Sequence, residues 1–313
     1  MKVCLAGEGA MGLNHIKALK EIRGVQVASL CGGIPKDAQS FADKWHIPHW
    51  SLDLETCLNQ PDIDAVLLAT PSQLHAEQTV LALSKDKHVL VEIPMSLNLP
   101  DAERISRVAE TSGHVCMVAH TRRFSPPHAE LRHRIREGTF HLHHLVVETY
   151  FFRRTNLNMF GEPRTWVDNL LWHHACHSVD LMYWLLGDPD LEVWGQKGPD
   201  HPELGIPMDM TIGMRSKNGQ LCTMALSFNN QGPFGGFYRY IGEEDTHKVY
   251  RDTMTDSNGN EVPLDGPSAF EIQDREFIGA IREGRPPDSS AASCLPAMRL
   301  LDRIEKVMND SST

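Results

Sequence analysis

Residues 2–22 read KVCLAGEGAMGLNHIKALKEI. The first six are a short buried-strand run that ends on glycine, and LNHIKALKEI (13–22) follows with apolar residues at helical spacing. Between them Gly7, Gly9 and Gly12 form a Gly-x-Gly-x-x-Gly pattern. Gly7 permits a tight turn, Gly9 lets backbone approach a pyrophosphate, and Gly12 lets helix and strand pack closely. The helix N-terminus then faces the phosphates. A strand before and a helix after make this a strong dinucleotide-binding signal, with Ala10 and Met11 inside the loop. The bland alternative is a merely tight strand–helix turn.

Working outward, VQVASLC (25–31), IDAVLLAT (63–70), HVLVEI (88–93) and HVCMVAH (114–120) read as further strands. AQSFADKWH (38–46), HAEQTVLALS (75–84) and PDAERISRVAE (100–110) read as helices between them. Five such strands predict a parallel sheet covered on both faces, and right-handed crossovers make it a doubly wound Rossmann domain. After HTRRFSPPHAE (120–130) the pattern changes. AELRHRIREG (129–138) and NLLWHHACHSVDLMYWLL (169–186) read as helices. HLVVETYFF, MDMTIGMRS, QLCTMALSFNN and GFYRYIG read as half-buried strands, with turn signals at KNGQ and DSNGN. The expectation is an α/β chain: a Rossmann domain over 1–123, then an α+β domain over 124–313 with an open, mainly antiparallel sheet. The second domain would bind substrate and make oligomer contacts. The terminal NDSST (309–313) should fray.

The 313 residues are 41% hydrophobic and 23% charged, an ordinary globular composition. A net charge of −11 supplies no basic stripe, so nucleic acid is a poor partner. An acidic chain that binds an anion must gather its arginines locally. The seven cysteines (4, 31, 57, 116, 176, 222, 294) include no CxxC pair, which fits reduced thiols in a cytoplasm. MKVCLAGEGAMG reads as a first strand and not a signal peptide, and no run suggests a membrane span.

An NAD site usually carries Asp or Glu at the end of the second strand, about 20 residues past the last glycine. Here that place reads Cys31-Gly32-Gly33-Ile34-Pro35-Lys36. With no carboxylate to repel a 2′-phosphate, and with glycine N–H groups and Lys36 on offer, NADP is the expected cofactor, NAD being accepted as well.

Two more loops lie at carboxyl ends of strands, where open α/β sheets bind ligands. ATPSQLHAEQ carries Thr70, Pro71 and His75, and VEIPMS carries Glu92, Ile93 and Pro94. With GEGAMG, AHTRRF and the His-x-x-Asp at 177–180, they resemble the glucose–fructose oxidoreductase/inositol dehydrogenase/MocA family over essentially the whole chain. The resemblance implies an N-terminal Rossmann domain, a C-terminal α/β domain with an open sheet, and nicotinamide in the cleft between. Two positions depart from the sugar-oxidising members. Ile93 stands where they carry the lysine that helps deprotonate the alcohol, and His173 stands where they carry Asp four residues before the histidine that His177 matches. VEIP, AHTRRF, TYFFRR, GEPRTWVDNLLWHHACHSVD and HPELGIPMDM resemble a narrower group, the 4-carboxy-2-hydroxymuconate-6-semialdehyde dehydrogenases of protocatechuate 4,5-cleavage.

That resemblance implies a cyclic hemiacetal dicarboxylate oxidised to the lactone 2-pyrone-4,6-dicarboxylate. A hemiacetal hydroxyl is more acidic than a simple alcohol, so an imidazole can serve as base and the lysine is dispensable. His177 or His173 is the candidate base and the other its hydrogen-bond partner; four residues apart, they share a helix face. Asp180 more naturally orients a neighbour. Arg122, Arg123 and Arg154 are the candidate carboxylate forks, one arginine of each adjacent pair turning away. Trp172 and Trp166 would wall the pocket. Core histidines are the bland alternative, above all for His174. Zinc on His173 and His177 lacks an HExxH glutamate or a cysteine pair, so no metal is expected. HLHH (141–144) reads as a solvated strand end. A sugar or polyol dehydrogenase and a non-catalytic NADP-sensing regulator are the competing functions. A homodimer covering the open sheet is the expected assembly. The isomer of the bond before Pro94 is open.

Overall fold

The computed structural model describes residues 1–157, 161–164, 166–264 and 266–310. Strands β1 (Lys2–Ala6), β2 (Gln26–Cys31), β3 (His49–Ser51), β4 (Ile63–Leu68), β5 (His88–Val91) and β6 (Cys116–Val118) pair in the order β3-β2-β1-β4-β5-β6, all parallel. Helices α1 (Ala10–Lys20), α2 (Pro35–Trp45), α3 (Leu54–Leu58), α4 (His75–Ser84) and α5 (Leu99–Ser112) make the crossovers. The central strands β1 and β4 are largely apolar because both sheet faces are covered: Val3, Cys4, Leu5 and Ala6 are fully buried, as are Ala65, Val66 and Leu67. Strand order reverses between β1 and β4, the switch point at which such sheets bind ligands. The short β3 and α3 were not foreseen, since three half-buried residues carry too little periodicity; the segment 63–70 therefore forms the fourth strand, not the third.

In the second unit, α6 (Pro126–Arg136) precedes β7 (Leu142–Tyr150). A π-helical turn, Leu170–Ala175, leads into α7 (Cys176–Leu186). Then come β8 (Glu192–Lys197), β9 (Asp209–Arg215), β10 (Leu221–Ser227), β11 (Gly235–Gly242), β12 (Thr246–Tyr250) and β13 (Thr253–Thr255). The order is β13-β12-β11-β7-β10-β9-β8, antiparallel except for the β7–β10 pair. One row of register partners, Ile212, Met224, Val147, Tyr238, Val249 and Met254, crosses six strands and is buried throughout. Its neighbours Thr223, Val146 and Arg239 point to the opposite face, as a period of two demands. The edge strand β8 escaped sequence reading because four of the six residues of EVWGQK are charged, polar or glycine.

Helices α8 (Ala269–Glu283) and α9 (Ala291–Asp310) close the chain. The two compact units are Met1–His120 with Phe270–Leu295, and Thr121–Ala269 with Pro296–Thr313. So 270–295, assigned by position in the sequence to the second domain, folds with the first. Asp274 of α8 explains why: it is buried and takes the Nδ1–H of His15 at 3.0 Å, while the other ring nitrogen of His15 meets Glu92 Oε1 at 3.1 Å. Ser289 Oγ donates to Val118 O at 2.7 Å at the end of β6. Asn309 and Asp310 remain helical, and 311–313 lie outside the described residues. Among the described residues no helix is long and apolar enough to cross a membrane.

Burial alone would drive the proton from His15, but Asp274 and Glu92 outweigh it and raise its pKa to about 10. A pKa raised by folding stabilises fully below the ordinary value of 6.5 and ceases to stabilise as pH climbs through about 10. His15→Gln leaves buried carboxylates without a cation, which costs about 3–5 kcal/mol. Thermal unfolding followed from pH 7 to pH 10 should show a steep loss in the parent and a flatter, lower profile in His15→Gln; parallel profiles would refute the charged imidazole.

Candidate active site

The glycine loop sits where β1 meets the turn after β4. Gly7 has φ +108°, and a Cβ there would overlap Ala69 O; a Cβ on Gly12 would overlap Gly7 O. Both positions therefore exclude side chains. At Gly9 the opposite holds: a Cβ would meet nothing within 4 Å. Gly9 is the N-cap of α1 and makes no side-chain cap bond to the first N–H groups of the helix. The residues expected at a diphosphate, Gly7, Gly9, Ala10, Met11 and Gly12, lie together on this turn and helix start, and Gly9 is the one among the three glycines with open space beside it. Ala10 and Met11 are exposed there.

Thr70 and Pro71 are half-buried on the adjacent turn. His75, expected at the cofactor, is 1% exposed, and its ring nitrogens lie 2.8 Å from Pro94 O and 2.8 Å from Thr70 O. It lies between the loop after β4 and the loop after β5; burial holds its pKa down, so the neutral ring donates its one N–H to one of these two carbonyls. The Ile93–Pro94 bond is cis. Glu92 Oε2 accepts from Ile93 N–H at 3.1 Å, and both side chains are buried.

At the end of β2, Cys31 is buried, Gly32 packs against Ala38, and Gly33 and Lys36 are exposed. The sequence contains no acid there. The fold supplies one: Glu8, between the first two glycines, lays its carboxylate on Gly33 N–H at 2.9 Å and Ile34 N–H at 3.2 Å. The premise of the NADP expectation, an acid-free site, falls with it.

In the second unit the polar cluster forms around Asp168, which is 8% exposed. Arg153 reaches Asp168 Oδ2 at 3.0 Å, Arg164 reaches it at 2.8 Å, and His173 Nδ1 lies 3.8 Å from Oδ1. Burial would raise the Asp168 pKa, but His173, Arg164 and Arg153 hold the carboxyl well below the ordinary range. Each partner comes from a different element: Arg153 follows β7, Arg164 lies in the following loop, and His173 sits in the π turn. Asn169 sets that turn by accepting from Leu171 N–H at 2.7 Å and Trp172 N–H at 3.1 Å. Such turns recur at functional sites. His173 is 27% exposed, and its Nδ1 faces Asp168 at ion-pair distance. His177 follows in the first turn of α7 and is half-buried. His174 packs among Phe151, Phe228 and His173, and burial keeps it neutral.

Three expected site residues are committed elsewhere. Arg123 is buried and bidentate to Asp180, Nε to Oδ2 at 2.8 Å and a terminal nitrogen to Oδ1 at 2.5 Å, so it is a strut and not a carboxylate fork. Trp172 is 3% exposed and donates to Glu305 Oε1 at 3.0 Å, so it belongs to the core. Arg154 is exposed over Phe152; its neighbour Arg153 is the one that turns inward. Arg122 is half-buried, its Nε donating to Tyr238 Oη at 3.1 Å, with no carboxylate partner among the described residues. Sequence reading missed Asp168 and passed over Glu8, His15 and Asp274, because each acts across a fold contact. The five-residue step from Asp168 to His173 was the available signal. His141, in HLHH, is exposed beside Glu244.

A glycine turn opening a helix at a sheet switch point defines a Rossmann dinucleotide-binding unit. Family models agree: residues 1–120 match an oxidoreductase family with an NAD-binding Rossmann fold, and 126–267 match the C-terminal domain of bacterial oxidoreductases. The chain is 45% identical over 312 residues to 4-carboxy-2-hydroxymuconate-6-semialdehyde dehydrogenase of Sphingobium sp. strain NBRC 103272 / SYK-6, covering 97% of this chain and 98% of that one. It is 30% identical over 191 residues to scyllo-inositol 2-dehydrogenase (NAD+) of Bacillus subtilis strain 168, covering 60% of this chain and 54% of that one. In fold it is similar to aldose–aldose oxidoreductase from Caulobacter crescentus, with TM-score 0.87, 18% identity and coverage of 99% and 98%. It is also similar to scyllo-inositol dehydrogenase from Lactobacillus casei with bound NAD(H), with TM-score 0.82, 16% identity and coverage of 99% and 97%. The chain belongs to the GFO/IDH/MocA family of oxidoreductases. It is a nicotinamide-dependent dehydrogenase acting on CH–OH groups.

Because Arg123 and Asp180 are 2% and 0% exposed in their side chains, neither can be hydrated when its partner is removed. Asp180→Ala should cost about 3–5 kcal/mol in urea-induced unfolding, and Arg123→Lys should recover only part of an Arg123→Ala loss. A loss below 1 kcal/mol (about the worth of an exposed pair) would contradict the strut.

Proposed function

We propose that this enzyme oxidises the cyclic hemiacetal of 4-carboxy-2-hydroxymuconate-6-semialdehyde to 2-pyrone-4,6-dicarboxylate, a step of protocatechuate 4,5-cleavage. The observation that carries the reading is the Asp168–His173 pair set among Arg153 and Arg164, in a chain 45% identical to a dehydrogenase of that name. Two guanidiniums share one carboxylate there, and Arg122 has none, so the unit carries cationic capacity for a dianion inside an acidic chain.

When bound, the dinucleotide supplies a hydride acceptor at its nicotinamide ring. His173 takes the hemiacetal hydroxyl proton, and the Asp168 carboxylate, 3.8 Å from Nδ1, stabilises the imidazolium that forms. His177, from the same helix, hydrogen-bonds the hydroxyl and orients it. Arg122 pins one substrate carboxylate, and Arg153 and Arg164 draw in the other. The carbon that loses hydride becomes the lactone carbonyl; one proton goes to His173 and two electrons leave with the hydride. Ile93 offers an apolar support where sugar-oxidising members use a lysine amine. A cytoplasmic setting agrees with seven free, buried cysteines. The outer sheet face, which exposes Trp194 at 47% and Leu221 at 36%, is the surface for a homodimer.

Absorbance at the reduced-nicotinamide band, with purified protein, the ring-cleavage product and either NAD or NADP, tests the reaction. Neutral sugars and inositols in parallel must be far slower, and a faster sugar would replace this substrate. His173→Ala should lower kcat about 10²–10⁴-fold, and Asp168→Asn should lower it about 10²-fold with KM little changed. Arg122→Ala should instead raise KM for the dicarboxylate about tenfold or more, as loss of a charge-assisted fork does. Full activity in all three would end the assignment.

A further inference from the structure

The end of β2 is where a Rossmann dinucleotide presents its adenosine ribose, and in this chain the acid found there comes from the glycine loop itself. Glu8 Oε1 accepts from Gly33 N–H at 2.9 Å and Ile34 N–H at 3.2 Å, and Oε2 accepts from Gly33 N–H at 3.1 Å. Ile34 is the N-cap of α2, Pro35 brings no N–H, and no side-chain bond from α2's own N-cap is made. The carboxylate therefore takes the donors at the head of an 11-residue helix, the groups that would otherwise receive an anion. A Cβ on Gly32 would overlap Ala38 Cβ at 2.3 Å, so the backbone lies close against α2 there, and Glu8 Oε1 comes within van der Waals contact of both glycine positions, at 3.4 and 3.8 Å. Lys36 is exposed in the first turn of α2 and has no ion-pair partner among the described residues.

We propose that Glu8 is the residue that discriminates between NAD and NADP. A carboxylate accepts hydrogen bonds from a ribose 2′,3′-diol. Against a 2′-phosphate it has two effects of one sign: it repels the charge, and it occupies the N–H groups of Gly33 and Ile34 that the phosphate oxygens need. Lys36 works the other way, so cofactor choice follows the balance of Glu8 and Lys36, not the absence of acid that the β2 sequence suggests. This rests on the dinucleotide-binding part of the proposed function and extends it to a specificity-determining side chain.

The test is calorimetric titration of 5′-AMP and 2′,5′-ADP, with kcat/KM for NAD and NADP as the kinetic counterpart. Glu8→Gln retains an acceptor for Gly33 N–H and loses the charge. It should tighten 2′,5′-ADP about tenfold or more, weaken 5′-AMP slightly, and raise the NADP/NAD ratio of kcat/KM by a similar factor. Lys36→Glu, on an exposed position, should weaken 2′,5′-ADP by about tenfold and leave 5′-AMP within about twofold; Glu8→Ala, which removes charge and acceptor together, should tighten 2′,5′-ADP as Glu8→Gln does and keeps the test alive if Glu8→Gln is unstable. If Lys36→Glu has its effect while a folded Glu8→Gln leaves both ligands unmoved, the role of Glu8 is overturned and the cofactor site stands. If neither ligand binds the parent or either variant, the dinucleotide site itself is overturned.

Discussion

One imidazole links the three segments on which the first unit's site depends. His15 lies one turn past Gly12 on α1, Glu92 opens the loop after β5, and Asp274 returns on α8 from 259 residues away. The ring can bond both carboxylates only with a proton on each nitrogen, which is why folding makes it a strong base. Burial raises the Asp274 pKa, and the charge of His15 offsets that only in part. A desolvated charge pair of this kind is poor evidence of net stability but good evidence of registry, since any slip leaves a bare charge in the core. It fixes the glycine helix and the Glu92-Ile93-Pro94 loop in one frame, with His75 set between that loop and Thr70.

The second unit repeats the principle with a different balance. Arg123 and Asp180 are matched one to one, buried, and spent on structure. Around Asp168 two arginines face one carboxylate and the histidine remains partly open, so positive charge is left over at a surface. Side chains of like type thus divide by stoichiometry and exposure: the neutralised pair holds α7 in place, and the unbalanced group has capacity for a ligand. The π turn is part of the same arrangement, because it places His173 by Asp168 while Trp172 is driven into the core against Glu305.

Where sequence reading succeeded, local pattern carried the information. The Gly7, Gly9 and Gly12 spacing, the apolar parallel strands and the alternating strands from 142 to 242 all report on a residue's own neighbours, and the sheets follow from them. The short β3, α3 and β13 and the polar edge strand β8 were illegible, having too few buried residues to set a period. Which arginine of an adjacent pair turns inward was not readable: Arg153 and not Arg154 reaches Asp168, and neither lies in a strand whose alternation would have told them apart.

The amino-acid sequence by itself determined the Rossmann class, the two-part plan, the dinucleotide loop and the family, since each is written in runs of contiguous residues. Tertiary structure alone decided that 270–295 joins the first unit, that Asp168 backs His173, and that Arg123 and Trp172 are struts. It also decided that an acid stands at the end of β2, because Glu8 reaches Gly33 across 25 positions of chain. The physical reason is common to all of these. A charge is neutralised by whatever lies within a few ångströms of it in space, and spacing along the chain does not encode that distance once the chain has turned back on itself.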